Sequence, residues 1–353
     1  MTLALLRMDE GAPVRARAGA SRARFVTNAL SAVVAFAGAG SLFALFRRAT
    51  FSYDGTPYIG PDVKPITPND RFYQVTKNVI DPDVALANWE LQVGGMVASA
   101  QTLTLGNLRA FANVEQETTL SCISNPVGGG LMSNAIWKGV PLAAVLDVAK
   151  PASDGTRVLL RAADGYTDTI DLKKAMERTT LLAYEMNSET LPRRHGFPVR
   201  MIVPGLFGEK SVKWLTGIEI VPDTVQGFYQ KQGWGPDFVI PTQSRFDVPG
   251  PMDRLRSGAP VELKGIAFGG HRGISAVEVS TDGGRSWSPA QIAYPATLLR
   301  WALWTFPWRP KSTGSYQLVV RAKAANGEPQ IATDRPTATQ GSTGYHRVNV
   351  AVV

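Results

Sequence analysis

The chain has 353 residues, 44% of them hydrophobic and 19% charged, with 34 glycines and 24 prolines, a length beyond one ordinary core and a balance that excludes a largely disordered chain, so two domains are expected. Lys and Arg total 37 against 29 Asp and Glu, but seven Arg and only two acidic residues fall within the first 48 positions, so most of the net +8 belongs to the N-terminal tail. The single cysteine, Cys122, excludes an intramolecular disulfide framework, a cysteine-based zinc site, thiolate-ligated iron–sulfur clusters and a C-x-x-C-H haem attachment. The basic excess lacks any zinc-finger, helix-turn-helix or RNA-binding signature and abuts an apolar run, so no nucleic-acid partner is expected.

Residues 1–24 form the basic tail. Residues 25–46, Phe25 through Phe46, carry no charged side chain and are long enough to span a hydrocarbon core, which predicts an N-terminal transmembrane helix. Arg15, Arg17, Arg22 and Arg24 before it and Arg47 and Arg48 after it give a weak positive-inside bias. That bias places the main body on the extracytoplasmic side, periplasmic or at the cell surface, anchored to the membrane. A cleaved signal peptide, or the last helix of a larger membrane region, is the alternative, although the arginine pair suits a stop better than a cleavage site.

Residues 47–70 are rich in Pro, Gly and Asp and read as a linker. A mixed α+β domain is expected over 71–248. Trp89, Leu91 and Val93 alternate as in a strand that ends at Gly94-Gly95. Pro141 opens a helical spacing of Leu142, Val145, Leu146 and Ala149. Val158–Leu160, Met201–Val203 and Ile218–Val221 are short apolar runs expected as buried strands. After Pro249 the texture changes to period-two strands at Val261/Leu263, Val277/Val279, Leu318/Val320 and Val348/Val350/Val352, punctuated by Asp282-Gly283-Gly284 and Asn326-Gly327. Residues 249–353 are therefore expected to form an immunoglobulin-like β-sandwich, with Trp287, Trp301, Trp304 and Trp308 filling its core or a partner face.

The chemistry concentrates in two segments. In the first, Ser121-Cys122-Ile123-Ser124-Asn125 runs into Pro126-Val127-Gly128-Gly129-Gly130, and Asn134-Ala135-Ile136-Trp137-Lys138-Gly139-Val140-Pro141 follows. A lone cysteine is by default a small buried hydrophobe, but here it follows a strand and enters a glycine loop where backbone can approach a bulky ligand. A soft thiolate so placed is a candidate metal ligand. The second comprises Leu182-Ala183-Tyr184-Glu185-Met186-Asn187, His195-Gly196-Phe197-Pro198-Val199-Arg200, Val203-Pro204-Gly205 and Ser211-Val212-Lys213-Trp214.

In order and spacing these motifs resemble the molybdopterin-binding domain of the sulfite oxidase family, and the later sandwich resembles that family's dimerisation domain. The resemblance implies that Cys122 is the protein's thiolate to a molybdenum held by the dithiolene of one pterin, with oxo ligands completing a five-coordinate centre. It implies that Asn78, Asp164, His195, Arg200, Ser211, Val212 and Lys213 grip the pterin and its phosphate, for which Arg supplies a bidentate clamp and Lys a point charge. Lys77, Tyr166, Tyr229 and Trp234 become candidates for the catalytic pocket, with Lys231 beside them.

The departures from the family pattern bear on substrate. Where the family has an arginine after the metal cysteine, this chain has Pro126 and Val127. Lys77 replaces an arginine and Val79 a histidine in the early loop, and Trp234 falls where the family has its active-site tyrosine, with Tyr229 as a displaced substitute. A depleted cationic pocket suits a neutral S-oxide better than sulfite. The resemblance thus implies oxygen-atom transfer at a sulfur-containing substrate, with a homodimer as the expected assembly. No haem, flavin or nicotinamide signature is present, so a separate cytochrome or quinone-linked electron-transfer partner is expected. The alternatives are a sulfite dehydrogenase proper and a non-catalytic, membrane-anchored subunit with a vestigial pocket.

Overall fold

Leu91 and Val93 alternate with polar neighbours, and both are buried in a strand, Leu91–Gly95. In the computed structural model, which describes residues 58–78 and 80–353, this strand lies second in a five-stranded sheet. The order is Gln101–Leu103, Leu91–Gly95, Leu215–Val221, Arg157–Ala162, Thr167–Asp171, and only the pairing of Leu91–Gly95 with Leu215–Val221 is parallel. All the described residues belong to one compact unit. The apolar span 25–46 with its arginine flanks, the first part of the linker, and Val79 lie outside the described residues. Among the described residues no helix is long and apolar enough to cross a membrane.

The spacing of Leu142, Val145, Leu146 and Ala149 becomes the helix Leu142–Ala149, and all four side chains are completely buried in the same core as the sheet. Pro141 caps its start, where a missing N–H costs nothing, and Lys150 ends it in the left-handed conformation at φ 56°. Among the described residues, two further short helices, Leu105–Arg109 and Leu172–Ala175, are the other helical segments longer than three-residue turns.

A second sheet of the same domain pairs Val114–Ser121, Met132–Pro141, Leu181–Met186 and Glu189–Thr190, with Arg200–Ile202 added against Leu181–Met186. Val114–Ser121 and Met132–Pro141 form an antiparallel ladder ending at Ser121 opposite Met132. Residues 122–131 connect them, so the glycine-rich segment is a long hairpin loop with Cys122 as its first residue. Cys122 N donates to Leu131 O at 3.0 Å, Leu131 N donates to Asn125 Oδ1 at 2.9 Å, and Gly128 turns the chain at φ 77°, a value that favours glycine.

The C-terminal region is a sandwich of a four-stranded sheet (Gln243–Val248, Val261–Phe268, Ala302–Trp308, Gln291–Tyr294) and a five-stranded sheet (Arg254–Leu255, His346–Val352, Gly314–Ala324, Ile274–Ser280, Ser288–Pro289). Its core draws Phe246, Leu263 and Trp304 from one sheet and Val277, Val279, Leu318, Val320, Val348 and Val350 from the other. The tryptophans divide: Trp304 fills this core, whereas Trp301 packs with Ile123, Met132 and Phe207 in a cluster shared with the first domain.

Arg245, on the first strand of the sandwich, reaches back into the cysteine loop. Its guanidinium donates to Asp247 Oδ1 (2.9 Å), to Gly129 O (2.8 Å) and to Tyr58 O. The sandwich thus fixes the loop that carries Cys122. Trp304 is fully buried and donates from Nε1 to Ile266 O at 3.2 Å, so Trp304→Ala leaves a large cavity. We expect a loss of about 3–5 kcal/mol, read as a lowered urea midpoint with an unchanged slope.

Candidate active site

Cys122 directly follows the strand Val114–Ser121 and is buried in a cluster with Phe72, Tyr73, Leu120, Leu131, Ala135 and Trp137. Its side-chain hydrogen bond among the described residues is with Ser124 Oγ, at 3.0 Å. Burial in this apolar setting pushes the thiol up to about 11, so a thiolate here requires a positive partner at the sulfur. Among the described residues no three His, Cys, Asp or Glu side chains converge to hold a metal. Cys122 therefore suits a metal centre that arrives with most of its ligands already attached.

A cationic cradle is built from Arg193–His195, Arg200–Ile202 and the turn through Ser211. Arg200 is buried at 5% exposure, and its guanidinium donates to His195 O (3.0 Å), Ser211 O (3.0 Å) and Met201 O (3.4 Å) while lying over the Trp137 ring at 5.0 Å. Every bond goes to a neutral carbonyl, and burial brings the group down to about 10. Lys213 is half-buried, donates to Arg194 O at 3.3 Å, and is pulled down to about 7 by desolvation and by the Arg200 charge. His195 Nε2 donates to Asn69 O at 2.8 Å, which leaves Nδ1 as an acceptor, and burial lowers it to about 4. Gly196, at φ 111°, lets the chain pass close: a Cβ there would sit 3.0 Å from the Lys213 Cα. Ser211 Oγ accepts from Val203 N at 3.1 Å, and Val212 is buried with its carbonyl bonded to Met201 N.

The early loop, the Asp164 turn and the segment after Phe228 meet on another side. Lys77 Nζ donates to Asn78 Oδ1 (3.0 Å) and stands 5.3 Å from the Phe228 ring, and Asn78 Nδ2 donates to Asp164 O (2.9 Å). Asp164 Oδ1 accepts from Tyr166 N at 2.9 Å. Tyr166 and Tyr229 lie 5.7 Å apart, and Tyr229 stacks on Trp234 at 4.4 Å. The candidates predicted for a pocket are therefore neighbours, apart from Lys231, which is exposed. Burial holds Tyr229 up at about 12.

Four residues not singled out from sequence complete this region. Lys210 and Asp168 form a buried ion pair at 2.6 Å, each side chain nearly sealed from solvent, and Tyr166 Oη donates to the other Asp168 oxygen at 2.8 Å. Tyr73, also buried, feels both Cys122 and Arg200. Glu209 carries two buried oxygens without hydrogen-bond partners. The signal available was Glu209-Lys210, two charges inserted in the otherwise apolar approach to Ser211-Val212-Lys213.

Two cations without carboxylate bonds, in the same domain as a buried thiol, fit a ligand bearing an anionic group and a metal, because neither cation has the hydrogen-bonded carboxylate that burial normally requires. The residues thus fit a molybdenum pterin with its phosphate. Comparison with known proteins agrees. Residues 77–229 match the oxidoreductase molybdopterin binding domain and residues 238–352 the Mo-co oxidoreductase dimerisation domain. The fold and the site define a molybdopterin-binding oxidoreductase.

Mitochondrial sulfite oxidase of Homo sapiens is 31% identical over 340 residues, covering 81% of this chain and 62% of that protein. Sulfite oxidase of Gallus gallus is 32% identical over 336 residues, covering 80% and 72%. This chain belongs to the sulfite oxidase family. The fold is shared with the sulfane dehydrogenase SoxCD from Paracoccus pantotrophus, at TM-score 0.71 and 23% identity over 81% of each chain.

Removing the Lys213 charge tests the cradle. We expect Lys213→Met to reduce bound pterin at least tenfold after expression in a cofactor-producing host, while the melting temperature of the cofactor-free protein does not fall, since a desolvated ammonium has been removed. For His195 the folded-state value lies below the unfolded one, about 4 against an ordinary 6.5. Its contribution is therefore present above about pH 6.5 and is lost as pH falls towards 4. Acid unfolding of His195→Gln, followed by circular dichroism, is expected to shift to lower pH.

Proposed function

We propose that the chain catalyses oxygen-atom transfer at a sulfur-containing small molecule, in the direction that reduces a neutral S-oxide. When bound, the molybdenum pterin supplies the two-electron redox change and accepts or releases the oxygen atom. The residues described here hold and tune it: Cys122 as its protein ligand, Arg200 and Lys213 against its phosphate, and His195, Ser211, Val212, Asn78 and Asp164 at its polar edges.

The observation that carries the direction is the charge balance beside Cys122. The loop after the cysteine presents Pro126 and Val127 rather than cations. Lys210 is neutralised by Asp168 at 2.6 Å. Lys77, held by Asn78 and set against Phe228, is a single ammonium facing what would be a dianion. Desolvating sulfite without paired cations is costly, whereas an S-oxide asks only for hydrogen-bond donors, and Tyr166 and Tyr229 carry hydroxyls here. Similarity to sulfite oxidases favours sulfite oxidation as the second reading.

The chain spans 62% of the human relative's length, and its own sequence offers no second redox group, so electrons come from a separate cytochrome or quinone-linked protein. Residues 25–46 anchor the chain in a membrane with the main body on the extracytoplasmic side. Residues 238–352, matching a dimerisation domain, pair two copies. Loaded with molybdenum and driven by a reduced viologen dye, the purified protein is expected to reduce methionine sulfoxide or dimethyl sulfoxide and to oxidise sulfite at least tenfold less efficiently in kcat/KM. The opposite ranking would overturn the proposed direction. Cys122→Ser is expected to abolish turnover while the sandwich stays folded.

A further inference from the structure

The turn Arg193–His195 bonds through both its carbonyls and its side chains. The carbonyls take donors of the cradle: Trp214 Nε1 donates to Arg193 O (2.8 Å), Lys213 Nζ to Arg194 O (3.3 Å) and Arg200 Nη1 to His195 O (3.0 Å). The two guanidiniums reach residues 81–83 of the early loop. Arg193 donates from Nε to Pro82 O (3.2 Å) and from Nη2 to Asp81 O (3.3 Å), and its Nη1 stands 3.6 Å from Asp83 Oδ1. Arg194 Nε donates to Asp81 Oδ2 at 3.5 Å. Ile80 is 80% exposed, so this stretch is held by polar contacts and not by burying its own apolar side chain. The same loop is tied at Asn78, whose Nδ2 donates to Asp164 O at 2.9 Å. Asn78 precedes Asp81 by three residues, so fixing Asp81 confines Asn78 to within about 11 Å of it.

We propose that Arg193, aided by Arg194, is a positioning residue for the cofactor: it latches the loop carrying Lys77 and Asn78 onto the turn carrying His195, and thereby slows exchange of the bound molybdenum pterin. This inference rests on the assignment of Asn78, His195 and Lys213 to the cofactor and is independent of the substrate. The latch joins two segments distant in sequence, each of which supplies a residue to the cofactor's polar edge. Held at both Asp164 and Arg193, the loop keeps Asn78 in place for a ligand, which lowers the ordering cost of binding and the rate at which that contact is lost. The side chains of Arg193 and Arg194 are each 51% exposed and that of Asp83 is 84% exposed. Contacts so open to water are individually weak and are screened by salt, so the latch works through several at once and loosens as ionic strength rises. Arg193 makes its two carbonyl bonds with the guanidinium fork, a geometry that a lysine reproduces only in part.

The test uses the full chain loaded with molybdenum pterin in a cofactor-producing host, as wild type, Arg193→Gln and Arg193→Lys. Arg321→Gln, whose guanidinium pairs with Glu278 at 2.8 Å on the sandwich, controls for the loss of an exposed ion pair elsewhere. Pterin retained after timed dilution is read by the fluorescence of its oxidised form, at about 50 mM and about 1 M salt. We expect Arg193→Gln to release pterin at least fivefold faster than wild type at low salt, Arg193→Lys to be intermediate, and Arg321→Gln to match wild type. High salt is expected to speed release from wild type towards the Arg193→Gln rate and to change that variant less than twofold, because buried charges are screened little. In cofactor-free protein, tryptic cleavage after Lys77 is expected to be at least fivefold faster in Arg193→Gln, at an unchanged melting temperature. Equal release from wild type and Arg193→Gln would overturn the proposal. So would faster release with a lowered melting temperature of the cofactor-free protein, which would make Arg193 a general stabiliser of the fold. If Lys213→Met, measured alongside, releases pterin as slowly as wild type, the cofactor assignment fails by itself, and cleavage after Lys77 still decides whether Arg193 holds the loop.

Discussion

A guanidinium buried among neutral carbonyls and an ammonium desolvated beside it form the constraint on which the first domain depends. Arg200 and Lys213 have no carboxylate bonds of their own, and the fold tolerates them because a dense web of backbone acceptors from His195, Met201, Ser211 and Arg194 spreads the cost. The strand Arg200–Ile202, the turn at Gly196 and the approach to Lys213 are all shaped around that pair. The cradle is preorganised for an anionic group, which spares a ligand the work of assembling it.

Elsewhere in the domain two charges cancel. Asp168 and Lys210 neutralise one another in a sealed pair, Tyr166 adds a hydrogen bond, and the thiol of Cys122 is held in its neutral form by burial. One region of the domain therefore holds two cations without carboxylate bonds, and the other holds a neutralised pair with Lys77 as its single further cation. The cationic region fits a cofactor bound through its phosphate. The second domain contributes mechanically, since Arg245 ties the Gly129 carbonyl and the Tyr58 carbonyl to the first strand of the sandwich.

Much of this was legible in the sequence because period and punctuation report local physics. The helix Leu142–Ala149 followed from apolar spacing after Pro141, the strand before Cys122 from its apolar end, and the sandwich strands from alternation between Asp-Gly-Gly and Asn-Gly turns. Cys122, His195, Arg200, Ser211 and Lys213 stand out through motif order, in which residue type and spacing survive together. Glu209 and Lys210 were passed over because a charged pair in a short loop reads as a solvated turn.

The sequence by itself determined which segments become strands or helix, where the glycine loop opens, and which side chains have the chemistry to hold a metal and a phosphate. Those properties depend on neighbours a few residues away. Only the tertiary structure decided which of those side chains are compensated. Lys210 finds Asp168 forty-two positions earlier, Arg245 finds Gly129 across two domains, and Glu209 finds nothing. Charge compensation is a property of distance in space, and the order of residues along a chain does not encode it directly.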